Sequence, residues 1–428
     1  MIDLRVLREA PEAVRDALAR RGDDTVSESL ASILTCDRRR RELVTTADAK
    51  KAERNAASGE IARRKQAGDE VAGHTAALRA LSRETKDLDE AVRAVEAELD
   101  DRLLRIPNLP LAEVPAGGAE RNRVLRVWGT PRSFDFPPRP HWELGEGLGI
   151  LDLRAGAVVT GSGFPVLRGA GARLARALGA FMLDLHTREH GYEEIQVPYL
   201  VSRESMRTTG QVPHLESDMY RTTDDLFLIP TGEVPLTNLH RREILAADRL
   251  PIAYVGLTPC FRREAGAAGK DTRGLTRVHQ FDKVELVRFS RPEDSPSEHE
   301  RLTGHAEAVL QALGLPYRVV LLAAGDLGFA SAKTYDLEVW APGMAAWLEV
   351  SSSSTFTDFQ ARRGDVRYRP RPDAKPEYVH TLNASGLALP RSLIALLETY
   401  QEPDGSVRLP EPLVAFMGAE RLHGSAPR

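Results

Sequence analysis

The chain has 428 residues, 42% of them apolar, and a net charge of −4 at neutral pH. That length exceeds a usual single core, so two domains are expected. No apolar run reaches the roughly 18 residues of a membrane helix, and the N-terminus lacks the apolar core of a signal peptide, which points to a soluble, cytoplasmic protein without a membrane partner. The slight negative charge excludes a global attraction for polyanions, so any nucleic-acid site must be a local basic patch. Cys36 and Cys260, the only cysteines, stand far apart without metal-ligand spacing, against both a disulfide and structural zinc.

The first distinctive element is helical. Leu78, Leu81, Thr85, Leu88, Val92, Val95 and Leu99 recur at alternating steps of three and four, the seam of a coiled coil. Asp37 to Lys65 lacks proline and is compatible with a helix, and Gln66 to Gly73 carries two glycines suited to a turn. An antiparallel hairpin follows, with a limb of about 33 residues extending roughly 50 Å at 1.5 Å per residue. Its charge is lopsided: the first limb carries Arg38, Arg39, Arg40, Arg41, Lys50, Lys51, Arg54, Arg63, Arg64 and Lys65 against Glu42, Asp48, Glu53 and Glu60. Pairing between the limbs is the alternative explanation, but successive helical residues point in different directions, so some of these cations face outward.

Proline at 107 and 110 ends the helical pattern and opens a linker, giving an expected division into an arm (1–106), a linker (107–123) and a second domain (124–428). The strand-like runs of that domain are Ile195 to Tyr199, Leu226 to Ile229, Tyr254 to Arg262, Arg277 to Phe289, Tyr335 to Val339 and Trp347 to Ser351. They do not alternate regularly with helices, so the fold class is α+β, a mainly antiparallel sheet with flanking helices.

Within it, Thr-Pro-Cys-Phe-Arg-Arg-Glu (258–264) and Thr-Arg-Val-His-Gln-Phe-Asp-Lys-Val-Glu (276–285) flank a loop, expected to be mobile, with Gly266, Gly269, Lys270, Asp271, Arg273 and Gly274. Strand alternation places Arg262 and Glu264 on one face of the first run, and Arg277, Phe281 and Glu285 on one face of the second. Guanidinium groups suit phosphate, an aromatic ring stacks on a purine, and carboxylates accept from amines and hydroxyls. Any single Arg–Glu pair on a strand is usually a solvated ion pair; the whole constellation suits a nucleoside triphosphate beside a small amino-bearing molecule. Gly269-Lys270 is not a phosphate loop, because Glu264 and Asp271 stand where Gly and Ser or Thr are required.

The two runs resemble motif two of the class II aminoacyl-tRNA synthetases, and in detail that of the bacterial seryl-tRNA synthetases. Residues 169–198, with Pro198, resemble motif one; Leu228 to Thr237 resembles the Thr-x-Glu segment; Glu349 to Arg363 and Asn383 to Gln401 resemble the Glu-x-x-Ser run and motif three. The resemblance implies activation of L-serine by ATP and Mg²⁺, transfer to serine tRNA with selenocysteine tRNA as a further candidate, and a homodimer. By the same resemblance, Arg262, Arg277 and Arg391 are catalytic. Arg262, Arg263, Glu264, Arg277, Val278, Phe281, Glu349, Val350, Ser351, Ser352 and Arg391 bind ATP, with Glu349 and Ser352 as Mg²⁺ ligands. Thr231, Gly232, Glu233, Arg262, Glu285, Asn383 and Ser385 bind serine, and Arg38, Arg39, Arg40, Arg41, Arg54, Arg63, Arg64 and Lys65 on the hairpin bind tRNA. Gly232, Ser353, Thr355 and Ala384 depart from the commonest family pattern. They are expected to reshape the serine pocket slightly, as in an accessory copy; a non-catalytic binding paralogue is the remaining alternative.

Overall fold

The computed structural model describes residues 1–22, 25–264 and 273–424; Gly266, Gly269, Lys270 and Asp271 of the expected mobile loop lie outside them. The chain forms two compact units, one from Ile2–Ala19 and Asp23–Ile106, the other from Met1, Arg20–Gly22 and Pro107–Arg428.

The first unit has two short helices, α1 (Leu4–Glu9) and α2 (Pro11–Ala19), and two long ones, α3 (Val26–Ala67, 42 residues) and α4 (Ala72–Leu104, 33 residues). The expected hairpin is present. Its first limb starts earlier than Asp37, because no Gly or Pro interrupts the chain there. The turn needs one left-handed residue, Gly68 (φ 85°), whose N–H closes the end of α3; Gly73, expected in the turn, lies inside α4. Along α4 every expected seam position is at least half-buried, with Thr85, Val95 and Leu99 fully so, and Ile33, Cys36, Ala47 and Ile61 of α3 are buried as well. Burying an aliphatic side chain of this size contributes about 1.5–3 kcal/mol, so a few such layers hold the limbs together.

In the second unit, eight strands form one sheet: β1 (Arg123–Trp128), β2 (Glu193–Glu194), β3 (Ile252–Phe261), β4 (Gln280–Ser290), β5 (Tyr317–Leu321), β6 (Lys333–Ala341), β7 (Ala346–Thr357) and β8 (His380–Ala388). Their order is β1-β5-β6-β7-β8-β4-β3-β2. Every pairing is antiparallel except β2 with β3, which is the expected arrangement. Helices α5 (Ala170–Arg188), α7 (Ser295–Ala312) and α9 (Leu389–Thr399) pack on this sheet, and two shorter helices, α6 (Glu233–Asn238) and α8 (Phe359–Gly364), lie near its centre. The main core joins Leu178 and Met182 of α5 with Val284 and Leu286 of β4, Leu337 of β6 and Leu396 of α9.

One strand expectation fails and the bounds of two others shift. Ile195 to Tyr199 is not a strand: pairing stops after Glu194 apart from the Ile195 N–H to Val255 carbonyl bond (2.8 Å), and Pro198 has no N–H to extend it. The run expected from Arg277 starts only at Gln280, and the run before it ends at Phe261. Arg262, Glu264 and Arg277 therefore stand beyond their strands. Glu264 takes a left-handed conformation (φ 49°), which ends the alternation assumed for it and Arg262.

Candidate active site and basic arm

A cavity of about 590 Å³ opens beside the sheet, lined by residues from β4, β7, β8, the Thr231–Glu233 turn, the ends of the motif-two runs and the start of α9. At one side, the Arg262 guanidinium lies 5.2 Å from the centre of the Phe281 ring and donates to the Pro230 carbonyl (3.3 Å). Arg277 is paired with Glu264 at 3.1 Å. Arg391 sits in the first turn of α9, next to Pro390, where the helix N-terminus adds to its field. It donates to the Glu349 carbonyl at 2.7 Å and to its carboxylate at 3.3 Å. Three cations from distant parts of the chain thus converge with a flat aromatic face.

The same cavity holds a denser polar cluster. Glu233, at the N-terminus of α6, is buried; its two oxygens accept from Gln360 Nε2 (2.6 Å) and Asn383 Nδ2 (3.3 Å). Burial, reinforced by the nearby Glu285, pushes its carboxyl up to about 7 against the opposing Gln360 bond and the charges of Lys283 and Arg262. Asn383 donates also to Glu285 (2.8 Å), and Lys283 donates to Thr231 Oγ1 (2.8 Å) and is ion-paired with Glu285.

Of the expected ligand residues, Thr231, Glu233, Arg262, Glu264, Arg277, Val278, Phe281, Glu349, Val350, Ser352, Asn383, Ser385 and Arg391 line the cavity. Arg263 is exposed and off its wall. Ser351 faces inward, its hydroxyl donating to the Ser385 carbonyl (2.7 Å). Glu285 is fully buried, one layer behind Lys283 and Asn383, a correction to the single surface drawn from strand alternation. Alternation fixes the side of the sheet; depth is set by what packs in front.

Lys283 and Gln360 belong to this cluster without having been singled out from sequence. Lys283 stands two residues from both Phe281 and Glu285, so the period of two already placed it on their face. The departures from the family pattern sort differently from expectation. Ser353 and Thr355 turn to α7, bonded to Thr303 (2.9 Å) and Ser295 (3.4 Å), and Ala384 lies in the core. Only Gly232 touches the pocket's support: a Cβ there would meet Glu285 Cβ at 3.0 Å and Thr258 Oγ1 at 3.2 Å, so the present packing favours glycine.

Arg273 stacks over Trp142 at 4.7 Å, and Gly274 (φ 65°) fits against His141, where a Cβ would meet Nε2 at 2.1 Å. On the arm, pairing across the limbs accounts for several cations: Arg39 with Glu98 (3.9 Å), Arg40 with Glu96 (3.8 Å), Lys50 with Glu84 (3.3 Å) and Lys51 with Asp89 (2.8 Å). Arg41 joins Arg8 and Arg40 around the buried Asp37, and Arg63 and Arg64 pair within the helix with Glu60. Arg38, Arg63 and Lys65 are exposed and Arg54 and Arg64 half-exposed.

Residues 1–110 match the seryl-tRNA synthetase N-terminal domain, and residues 215–400 match the tRNA synthetase class II core domain (G, H, P, S and T). The serine–tRNA ligase of Gemmatimonas aurantiaca is 53% identical over 420 residues, covering 98% of this chain and 99% of that protein. Among solved structures, the seryl-tRNA synthetase of Pyrococcus horikoshii complexed with ATP is 38% identical with a TM-score of 0.93, covering the whole of both chains. The cytoplasmic enzyme of Naegleria fowleri in complex with AMP is 29% identical with a TM-score of 0.87, covering 100% of this chain and 99% of that one. With both regions matched in order and the full length shared, the chain belongs to the seryl-tRNA synthetases, within the class II aminoacyl-tRNA synthetases.

Proposed function

We propose that the cavity is where the chain carries out serine–tRNA ligation: a serine carboxylate oxygen attacks the α-phosphorus of ATP, the bond to the bridging oxygen breaks and pyrophosphate leaves. A terminal hydroxyl of serine tRNA then attacks the seryl carbonyl carbon and AMP departs. The difficulty of the first step is the approach of two anions, and fixed cations lower its cost without reorganising. Arg262 serves both the serine carboxylate and the α-phosphate, Phe281 stacks on adenine with Glu264 near it, and Arg277 and Arg391 hold the outer phosphates. Glu233 takes the α-ammonium of serine, while Asn383, Ser385 and the Glu285 behind them read its hydroxyl. A site whose polar groups are satisfied by that hydroxyl rejects alanine by about 10⁴ to 10⁵.

Glu349 and Ser352 on the cavity wall offer a carboxylate and a hydroxyl, and Asp336 lies opposite Ser352 in register with an enclosed Oδ1 that has no hydrogen-bond partner. Burial and the neighbouring Glu349 hold Asp336 well above the usual carboxylate range; a cation held by the hard oxygens of Glu349 and Ser352 would relieve that crowding of carboxylates, which fits Mg²⁺. Glu349 and Ser352 would hold the ion, which would supply positive charge to offset that of the phosphates. The arm's outward Arg38, Arg54, Arg63, Arg64 and Lys65 bind the tRNA backbone, a recognition by shape and charge. The protein acts as a homodimer in the cytoplasm; among the described residues no helix is long and apolar enough to cross a membrane.

The observation that carries this reading is that Arg262, Arg277 and Arg391 line the same cavity as the buried Glu233 cluster. Serine-dependent ATP–pyrophosphate exchange, followed by charging of serine tRNA, tests it; a protein inactive in both would be a binding paralogue.

A further inference from the structure

We propose that Lys283 is a positioning residue for the amino-acid substrate, locking the Glu285 carboxylate and the Thr231 hydroxyl in place; the inference rests on the serine-activating reading above. Phe281, Lys283 and Glu285 alternate along β4 onto one face, and β4 lies between β8 and β3, where neighbouring backbone restrains it on both sides. Only 7% of the Lys283 side chain is exposed. Its ammonium reaches Thr231 Oγ1 at 2.8 Å and pairs with one oxygen of the fully buried Glu285, whose other oxygen accepts from Asn383 at 2.8 Å. Both oxygens of Glu285 are therefore held, one by a charge and one by an amide.

Thr231 is constrained as well. A hydroxyl has two acceptor sites and one hydrogen. Oγ1 of Thr231 accepts from Lys283 and from the Glu233 backbone N–H (3.2 Å), so its hydrogen remains to donate into the cavity it lines. Lys283 thereby makes Thr231 a donor, matched to a substrate oxygen, and leaves the carboxylate of Glu233 for the substrate ammonium. The groups facing Glu233 are Lys283 and Glu285 from β4, Arg262 beyond β3, Asn383 from β8, Gln360 from α8 and the adjacent Thr231; Lys283 is one of two cations among them. Loss of that cation raises the Glu233 carboxyl further, and ionisation of Glu233 then requires a higher pH.

The test is serine-dependent pyrophosphate exchange by Lys283→Met and Lys283→Arg, with KM for serine and for ATP measured separately from pH 6 to 9. Lys283→Met should raise the serine KM on the order of 30-fold, the scale of a lost charge-assisted bond, leave the ATP KM within about twofold, and move the acidic limb of the serine kcat/KM profile to higher pH. Lys283→Arg keeps the charge, so the limb should stay where the wild type has it although the altered shape weakens serine. Equal increases in both KM values, or an acidic limb that Lys283→Met leaves unmoved, would show Lys283 to be ordinary structural filling. Should Lys283→Met lack a cooperative melt, Lys283→Arg decides alone: a raised serine KM with an unshifted limb supports the assignment, and a serine KM equal to that of the wild type overturns it. An inactive wild type would overturn the serine-activating reading and this inference together, whereas an active wild type with either negative result overturns only the role of Lys283.

Discussion

Glu233 makes serine binding depend on pH in a calculable way. Its carboxyl, raised to about 7 by burial and the nearby Glu285, must be ionised to receive the substrate ammonium. At pH 6 about a tenth of the protein carries the carboxylate and at pH 8 about nine tenths, and apparent affinity scales with the competent fraction. The Kd for serine should therefore fall about tenfold between pH 6 and pH 8, with a proton released on binding at pH 6. Titration calorimetry in two buffers of different ionisation enthalpy reads both quantities. Glu233→Gln should bind serine weakly and without pH dependence. The same shift has a stability signature of defined sign. Because the folded-state value lies above the ordinary 4.5, the native protein holds a proton that the unfolded chain releases, and stability falls as pH rises from about 4.5 to about 7. Glu233→Gln cannot ionise, so relative to wild type it should gain up to about 3 kcal/mol at pH 8 and nothing below about pH 4.5. A serine Kd unchanged from pH 6 to pH 8 with no proton release would refute this account of the pocket.

Arg262→Ala should lower serine-dependent pyrophosphate exchange by roughly 10²- to 10³-fold, about 3–4 kcal/mol, with the fold intact by circular dichroism; exchange within fivefold of wild type would remove Arg262 from the reacting centre. Gly274→Ala places a Cβ 2.1 Å from His141 Nε2, which accepts the Leu275 N–H at 2.9 Å, so the motif-two turn must shift. A several-fold rise in the ATP KM is expected, and an unchanged value would detach this turn from the nucleotide. Reversing Arg63, Arg64 and Lys65 to Glu should raise the tRNA KM and flatten its dependence on salt while pyrophosphate exchange is retained, because phosphate contacts release counterions. Charging kinetics at two or more salt concentrations check this, and an unaltered tRNA KM would make those charges solvent-facing only.

The coiled-coil arm was legible because burial in a helix pair repeats with a local period: Leu78 to Leu99 declare the seam without knowledge of any distant residue. The antiparallel α+β domain and most lining residues of the cavity were legible from ordered motifs, Arg391 beside Pro390 among them. Depth was not. Glu285 and Phe281 share a face by sequence parity, yet Lys283 and Asn383 cover Glu285, and only packing from α6 and β8 decides that. Nor did composition separate the arm's cations, since Arg39 and Lys51 have acidic partners roughly 40 to 60 residues away in sequence whereas Arg38 faces outward. Ser353, Thr355 and Ala384 lie within motif segments, but β7 and β8 turn them toward α7 and the core, leaving Gly232 alone against the serine cluster. Period and residue type are properties of neighbours along the chain and can be read directly; burial, charge pairing and the pKa of Glu233 arise from groups that meet only when the strands assemble, so the tertiary structure decides them.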